Sequence, residues 1–154
     1  MSVSLNPVDF ETNIPGMALS SVSASVADLA PFSVRKNELI VDINHPIEVT
    51  LQWDQTGTNP WTDFFLGLAG AAWHLKATLK NIDGGPSSVQ SIVAGYVPGA
   101  GMKTVQLQFP ANTLAEGTYE LFMNCHLKSA SNAHLATSFL SSHRVLELFD
   151  SVMV

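Results

Sequence analysis

A single cysteine, Cys125, removes any intramolecular disulfide framework from consideration. Charge is the next scarcity. Asp, Glu, Lys and Arg together make up 13% of the chain, about half the roughly 25% of an ordinary soluble domain. Basic residues are the scarcer sign: seven Lys and Arg face 13 Asp and Glu, for a net charge of −6. Phosphate neutralisation needs clustered positive charge, so no nucleic-acid partner is expected. No apolar run reaches the length of a membrane-spanning helix. Met1 to Gly16 has no basic opening, and Pro7, Asp9, Glu11 and Pro15 interrupt any signal-like apolar core. The expectation is a cytoplasmic chain, with leaderless export left open.

Chemical signatures are missing too. The sequence contains no G-x-S-x-G, no P-loop and no G-x-G-x-x-G. Gly95 to Gly101 is glycine-rich but opens no helix, so it reads as a hairpin-type loop. The five histidines, His45, His74, His126, His134 and His143, include no pair at a spacing that metal sites favour. Two acids at unknown separation do not make a hydrolase. No catalytic residue, cofactor or metal is therefore expected, and the chain is read as a non-enzyme.

What is present is an apolar chain of 154 residues, 46% hydrophobic. That is one domain's worth, able to bury roughly 68–70% of its unfolded surface without a staple, and too apolar for disorder. Residues 1–34 differ from the rest. Their only charges are Asp9, Glu11 and Asp28, and Pro7, Pro15 and Pro31 break them up. They read as an extended arm, with strand-like patches such as Leu19 to Val26, that needs a surface to lie on.

From Arg35 the apolar residues recur with period two, the mark of half-buried strands. Leu39, Val41 and Ile43 share a face. So do Val49, Leu51 and Trp53; Trp73, Leu75, Ala77 and Leu79; Val105, Leu107 and Phe109; and Tyr119, Leu121, Met123, Cys125 and Leu127. A weaker strand is read over Val89 to Val97, and a closing strand within Ala136 to Val154. Cys125 falls on the inner face, which predicts an inert core thiol. The expected fold is an all-β, antiparallel Greek-key sandwich of about seven strands over residues 35–154.

Asn59 to Ala72 interrupts the strands. Asn59 is a natural N-cap and Pro60 suits the first helical position, with Trp61, Phe64, Phe65, Leu66 and Leu68 behind them. Three readings compete: a short helix plugging one end of the sandwich, an aromatic contact with a protein partner, and a loop facing sugar or lipid.

Leu114-Ala115-Glu116-Gly117-Thr118-Tyr119 resembles the L-x-x-G-x-Y pattern of immunoglobulin-like and fibronectin type III-like sandwiches. The resemblance implies a structural corner in which the Tyr119 hydroxyl bonds upstream backbone. Gly117 permits the bend, and Leu114 completes the pattern. It implies no catalytic residue, because such sandwiches host many functions.

The functional expectation is a protein–protein interaction or self-assembly module, a homo-oligomer or the partner of another protein, using the arm for strand addition to a neighbour. The alternative is a carbohydrate-, lipid- or small-ligand-binding sandwich. Trp61, Phe64, Phe65 and Tyr96 are the candidate contact residues in either case.

Overall fold

The computed structural model describes residues 2–28 and 40–150. In chain order the elements are β1 (Ser2–Ser4), β2 (Val8–Thr12), β3 (Met17–Asp28), β4 (Ile40–Asp42), β5 (Ile47–Thr58), α1 (Pro60–Leu68), β6 (Ala72–Asn81), β7 (Ser88–Gly95), β8 (Gly101–Phe109), β9 (Gly117–Lys128), β10 (His134–Ser141) and β11 (Arg144–Phe149). The fold is an all-β sandwich of two sheets with one short helix.

The first sheet has the order β1-β3-β5-β8. The second runs β7-β6-β9, and β9 pairs along its far edge with two successive strands. β10 takes the half from Asn124 to Lys128, and β11 the half from Gly117 to Leu121. Beyond them, β2 pairs antiparallel with β10, and β4 pairs parallel with β11.

Alternation decides which side chains meet between the sheets. Val49, Leu51 and Trp53 of β5, Trp73, Leu75, Ala77 and Leu79 of β6, and Tyr119 to Leu127 at every second position of β9 are all buried. Fully burying a side chain of this size contributes about 1.5–3 kcal/mol. The Trp53 and Trp73 rings meet edge-to-face with centroids 4.8 Å apart, and Phe139 lies 5.2 Å and 5.6 Å from them. Cys125 is buried in this layer, and burial pushes its thiol up to about 12.

Three features depart from the sequence reading. The described residues form eleven strands: eight (β4–β11) where about seven are expected, and three (β1–β3) in the segment read as an arm. β1, β2 and β4, at three to five residues, are too short for periodicity to register. The closing segment is two strands, because the chain breaks at Ser142 and His143. Finally, the β4–β11 pair is parallel, so the sandwich is not purely antiparallel. A pattern within one strand reports its buried face, not the direction of its neighbour. Of the strand read near Leu39, only Ile40 to Asp42 are described as strand; Leu39 and the boundary at 34/35 lie outside the described residues.

Residues 2–28 lie on their own domain. β3 pairs with β5 from Met17↔Thr58 to Asp28↔Ile47. Leu5, Val8, Met17, Ala24 and Val26 join the core. The Arg144 guanidinium donates to the Ser4 carbonyl at 3.0 Å. At the start of β9, Tyr119 Oη donates to the Ala115 carbonyl at 2.9 Å. Gly117 adopts φ +152°, a backbone conformation open mainly to glycine, and Leu114 packs half-buried against the core.

Candidate functional site

α1 forms where the sequence capped it. The Asn59 side chain accepts from the backbone N–H of Trp61 at 2.8 Å and of Thr62 at 3.3 Å, and Pro60 opens the helix. At the other end Ala71 N–H bonds the Leu66 carbonyl and Gly70 N–H the Gly67 carbonyl. This is the paired pattern of a Schellman C-cap, with Gly70 at φ +64° in the left-handed position. A Cβ at Gly70 would stand 2.8 Å from that of Ala130, so the site accepts no larger residue without displacement.

Three loops hold the helix. From the β2–β3 turn, the Pro15 carbonyl accepts from Thr62 Oγ1 at 2.6 Å. From the β9–β10 loop, Ala130 N–H donates to the Ala69 carbonyl at 2.8 Å. From the β7–β8 loop, Tyr96 Oη donates to Asp63 Oδ1 at 2.6 Å, and Gly99 N–H to Asp63 Oδ2 at 3.2 Å. Gln55 on β5 supports this last contact, donating to Tyr96 Oη at 3.2 Å and to the Gly99 carbonyl at 2.8 Å. Burial, then the bond to Asp63 and its charge, raise the Tyr96 phenol well above its ordinary value.

Trp61, Phe64, Phe65 and Leu68 recur at i, i+3, i+4 and i+7, the spacing of one helix face. In a surface helix that stripe ordinarily packs on the core. Here it faces solvent: the four residues are 69%, 55%, 60% and 70% exposed, while Leu66 on the other side is buried. It is Leu66, and not the aromatic stripe, that packs the helix on the core. The exposed rings touch one another. Phe64 and Phe65 have centroids 5.6 Å apart, and Trp61 lies 6.4 Å from each. Between α1 and the β2–β3 turn runs a groove of about 320 Å³, lined by Ile14, Pro15, Trp61, Thr62, Phe65 and Leu66 among others.

The candidate contact residues thus divide. Trp61, Phe64 and Phe65 form one solvent-facing cluster. Tyr96 is half-buried, and its hydroxyl is committed to Asp63, so it positions the helix. Leu68, Pro15 and Ile14 belong to the same surface. The heptad-like spacing of Leu68 was present in the sequence, whereas the contribution of the β2–β3 turn was not readable without the fold.

The histidines also sort themselves. His126 Nδ1 lies 2.9 Å from Ser138 Oγ and 3.1 Å from His134 Nε2. Ala136 N–H donates to His134 Nδ1, so neutral His134 carries its proton on Nε2 and points it at His126 and Ser138. Burial, then the charges of His134, Lys128 and His74, hold the His126 imidazole below its ordinary value. The arrangement is a hydrogen-bonded cluster on the outer face of the second sheet. His143 is elsewhere, bonded to Glu120 and stacked on Phe122. Among the described residues no three of His, Cys, Asp or Glu converge as a metal site would require. No helix there is long and apolar enough to cross a membrane.

No family model matches the chain, and no curated protein matches it. Among solved structures, a Niemann-Pick type C2 protein from the Japanese carpenter ant is similar. The two are 6% identical, the match covers 86% of this chain and 96% of the other, and the TM-score is 0.36. At that level the likeness bears on neither ligand nor partner.

Proposed function

We propose that the chain is a non-enzymatic recognition domain that binds another protein through the aromatic face of α1. The observation that carries this reading is the reversed helix: its apolar stripe faces solvent while Thr62, Asp63 and the Ala69 carbonyl secure it to three loops. Exposed Trp and Phe clusters on a rigid support suit a binding hot spot, because little side-chain freedom is lost when they are covered. The non-enzymatic part rests on the histidine cluster. Ser138 does approach His126, but the same imidazole nitrogen receives the His134 proton, and His126 Nε2 meets no acid among the described residues. A nucleophile, a base and an orienting group are thus not matched.

The sandwich is further read as immunoglobulin-like. Support comes from the Tyr119-to-Ala115 bond and from the adjacency of β5 with β8 in one sheet and of β6 with β9 in the other. Strand addition by the arm has little support, since β1, β2 and β3 are already paired within the chain.

The groove between Pro15 and Phe65 favours one second reading, a small apolar or carbohydrate ligand held against Trp61. Affinity capture from the source proteome with the wild-type chain and with Trp61→Ser/Phe65→Ser separates the two. The protein-partner reading expects one protein retained only by the wild type, whose purified form binds at least tenfold more weakly to the double variant. A glycan or lipid that shifts Trp61 emission, with no such protein, transfers the function to the groove. Failure of both removes α1 as a recognition surface.

A further inference from the structure

Both sheets end in edges, and most of those edges are protected against pairing with another chain. β1 and β4 are three residues long. β2 carries Asp9 and Glu11, and β8 carries Lys103. Short strands and charged residues are the usual devices that keep an edge from finding a partner.

β7 has none of them. Its eight residues, Ser-Val-Gln-Ser-Ile-Val-Ala-Gly, include no charge and no proline. Its register with β6 runs without a bulge from Ala72↔Gly95 to Leu79↔Ser88. Among the described residues its other edge has no partner strand. Val89 and Val93 are 50% and 61% exposed, and Ile92 is 40% exposed.

We infer that β7 is a homodimer edge, on which a second copy of this chain adds its own β7 antiparallel about a two-fold axis. The absence of charge selects the occupant. In an isologous antiparallel contact residue i of one copy meets residue j of the other and j meets i, so a strand with no charge at any position can pair with its own copy without setting like charges opposite each other.

The side-chain pattern selects the register. Val89 pairs with Thr78, Ser91 with Lys76 and Val93 with His74, which places all three on the outer face of the sheet. In an antiparallel pair, residues directly opposite lie on one face. With Ser91 on the two-fold axis, each Val89 therefore stands beside the partner's Val93, and Ile92 beside the partner's Gln90. The result is one sheet continuous through two sandwiches, with two pairs of β-branched residues closing its outer surface.

The contact is a single strand pair, smaller than a standard interface of ~800 Å² per partner, so a weak, concentration-dependent dimer is expected. It uses no residue of α1, and neither inference depends on the other.

Sedimentation velocity from micromolar to near-millimolar concentration tests the inference on three proteins: the full chain, Val89→Lys/Val93→Lys, and Trp61→Ser/Phe65→Ser. The full chain and the α1 variant should shift from monomer to dimer over the range. The lysine variant should remain monomeric with an unchanged β-sheet circular dichroism spectrum. Ser91→Cys should also form a disulfide-linked dimer on mild oxidation, since native Cys125 is buried. A wild-type chain that stays monomeric throughout overturns the inference. So does association that survives the lysines, or that disappears only in the α1 variant.

Discussion

Tyr96 and Asp63 meet at 2.6 Å, the phenol donating to the carboxylate, and this bond joins the β7–β8 loop to the helix that carries the aromatic face. Gly99 N–H and Thr58 Oγ1 bond the other carboxylate oxygen, so both oxygens of Asp63 are used in positioning α1.

Tyr96→Phe removes the donor and leaves the rest in place. A hydrogen bond to a charged group contributes about 1.5–3 kcal/mol, so urea unfolding should show a loss of that order. The pH dependence has a definite sign. The folded-state phenol titrates above its ordinary value of 10.0, so folding favours the protonated form. That contribution is complete below about pH 10 and disappears as pH rises from there toward the folded value. Wild-type midpoints should fall across that interval, and the Phe variant should show a shallower decline.

The histidine cluster makes the opposite prediction in acid. His126 is held below its ordinary 6.5 by burial first, then by His134, Lys128 and His74. Its neutral form accepts from His134 at Nδ1, so its contribution is present above pH 6.5 and fades as pH falls below it. His126→Asn keeps an acceptor and cannot titrate. Unfolding midpoints measured from pH 7 to pH 4.5 should therefore decline less steeply in the variant than in the wild type.

The N-terminal segment is expected to be indispensable to the fold. Leu5, Val8, Met17, Ala24 and Val26 are core residues, and β3 covers one edge of β5. At about 1.5–3 kcal/mol for each large side chain, their removal approaches the whole 5–15 kcal/mol of a typical domain. A chain beginning at Arg35 should show no cooperative thermal transition. A folded, monomeric truncation would contradict the placement of β3.

How much of this was legible in the sequence depends on the strand. β5, β6, β8 and β9 declared themselves because each buries one face, and period two records that directly. Asn59 and Pro60 announced the helix start to the residue, because capping is local chemistry. The parallel β4–β11 pair left no trace, since it depends on partners more than a hundred positions apart. The helix stripe was legible, but its direction was not: residues 61, 64, 65 and 68 share a face in any helix. Which face turns inward is set by Thr62 and Asp63 meeting two loops and by Leu66 packing into the core. The bond of Tyr96 to Asp63 was not legible for a similar reason, because an aromatic ring near a loop says nothing about where its hydroxyl bonds.

The central claim is that α1 is held rigidly in order to present Trp61, Phe64 and Phe65 outward. Equilibrium unfolding of the triple variant Trp61→Ser/Phe64→Ser/Phe65→Ser, set beside Leu66→Ala, tests it most directly. The exposed rings contribute little to the fold, so the triple variant should lie within about 1 kcal/mol of the wild type. Truncating buried Leu66 should cost about 2–5 kcal/mol. A triple variant destabilised as severely as Leu66→Ala would mean that the aromatic face is core, and would contradict the account.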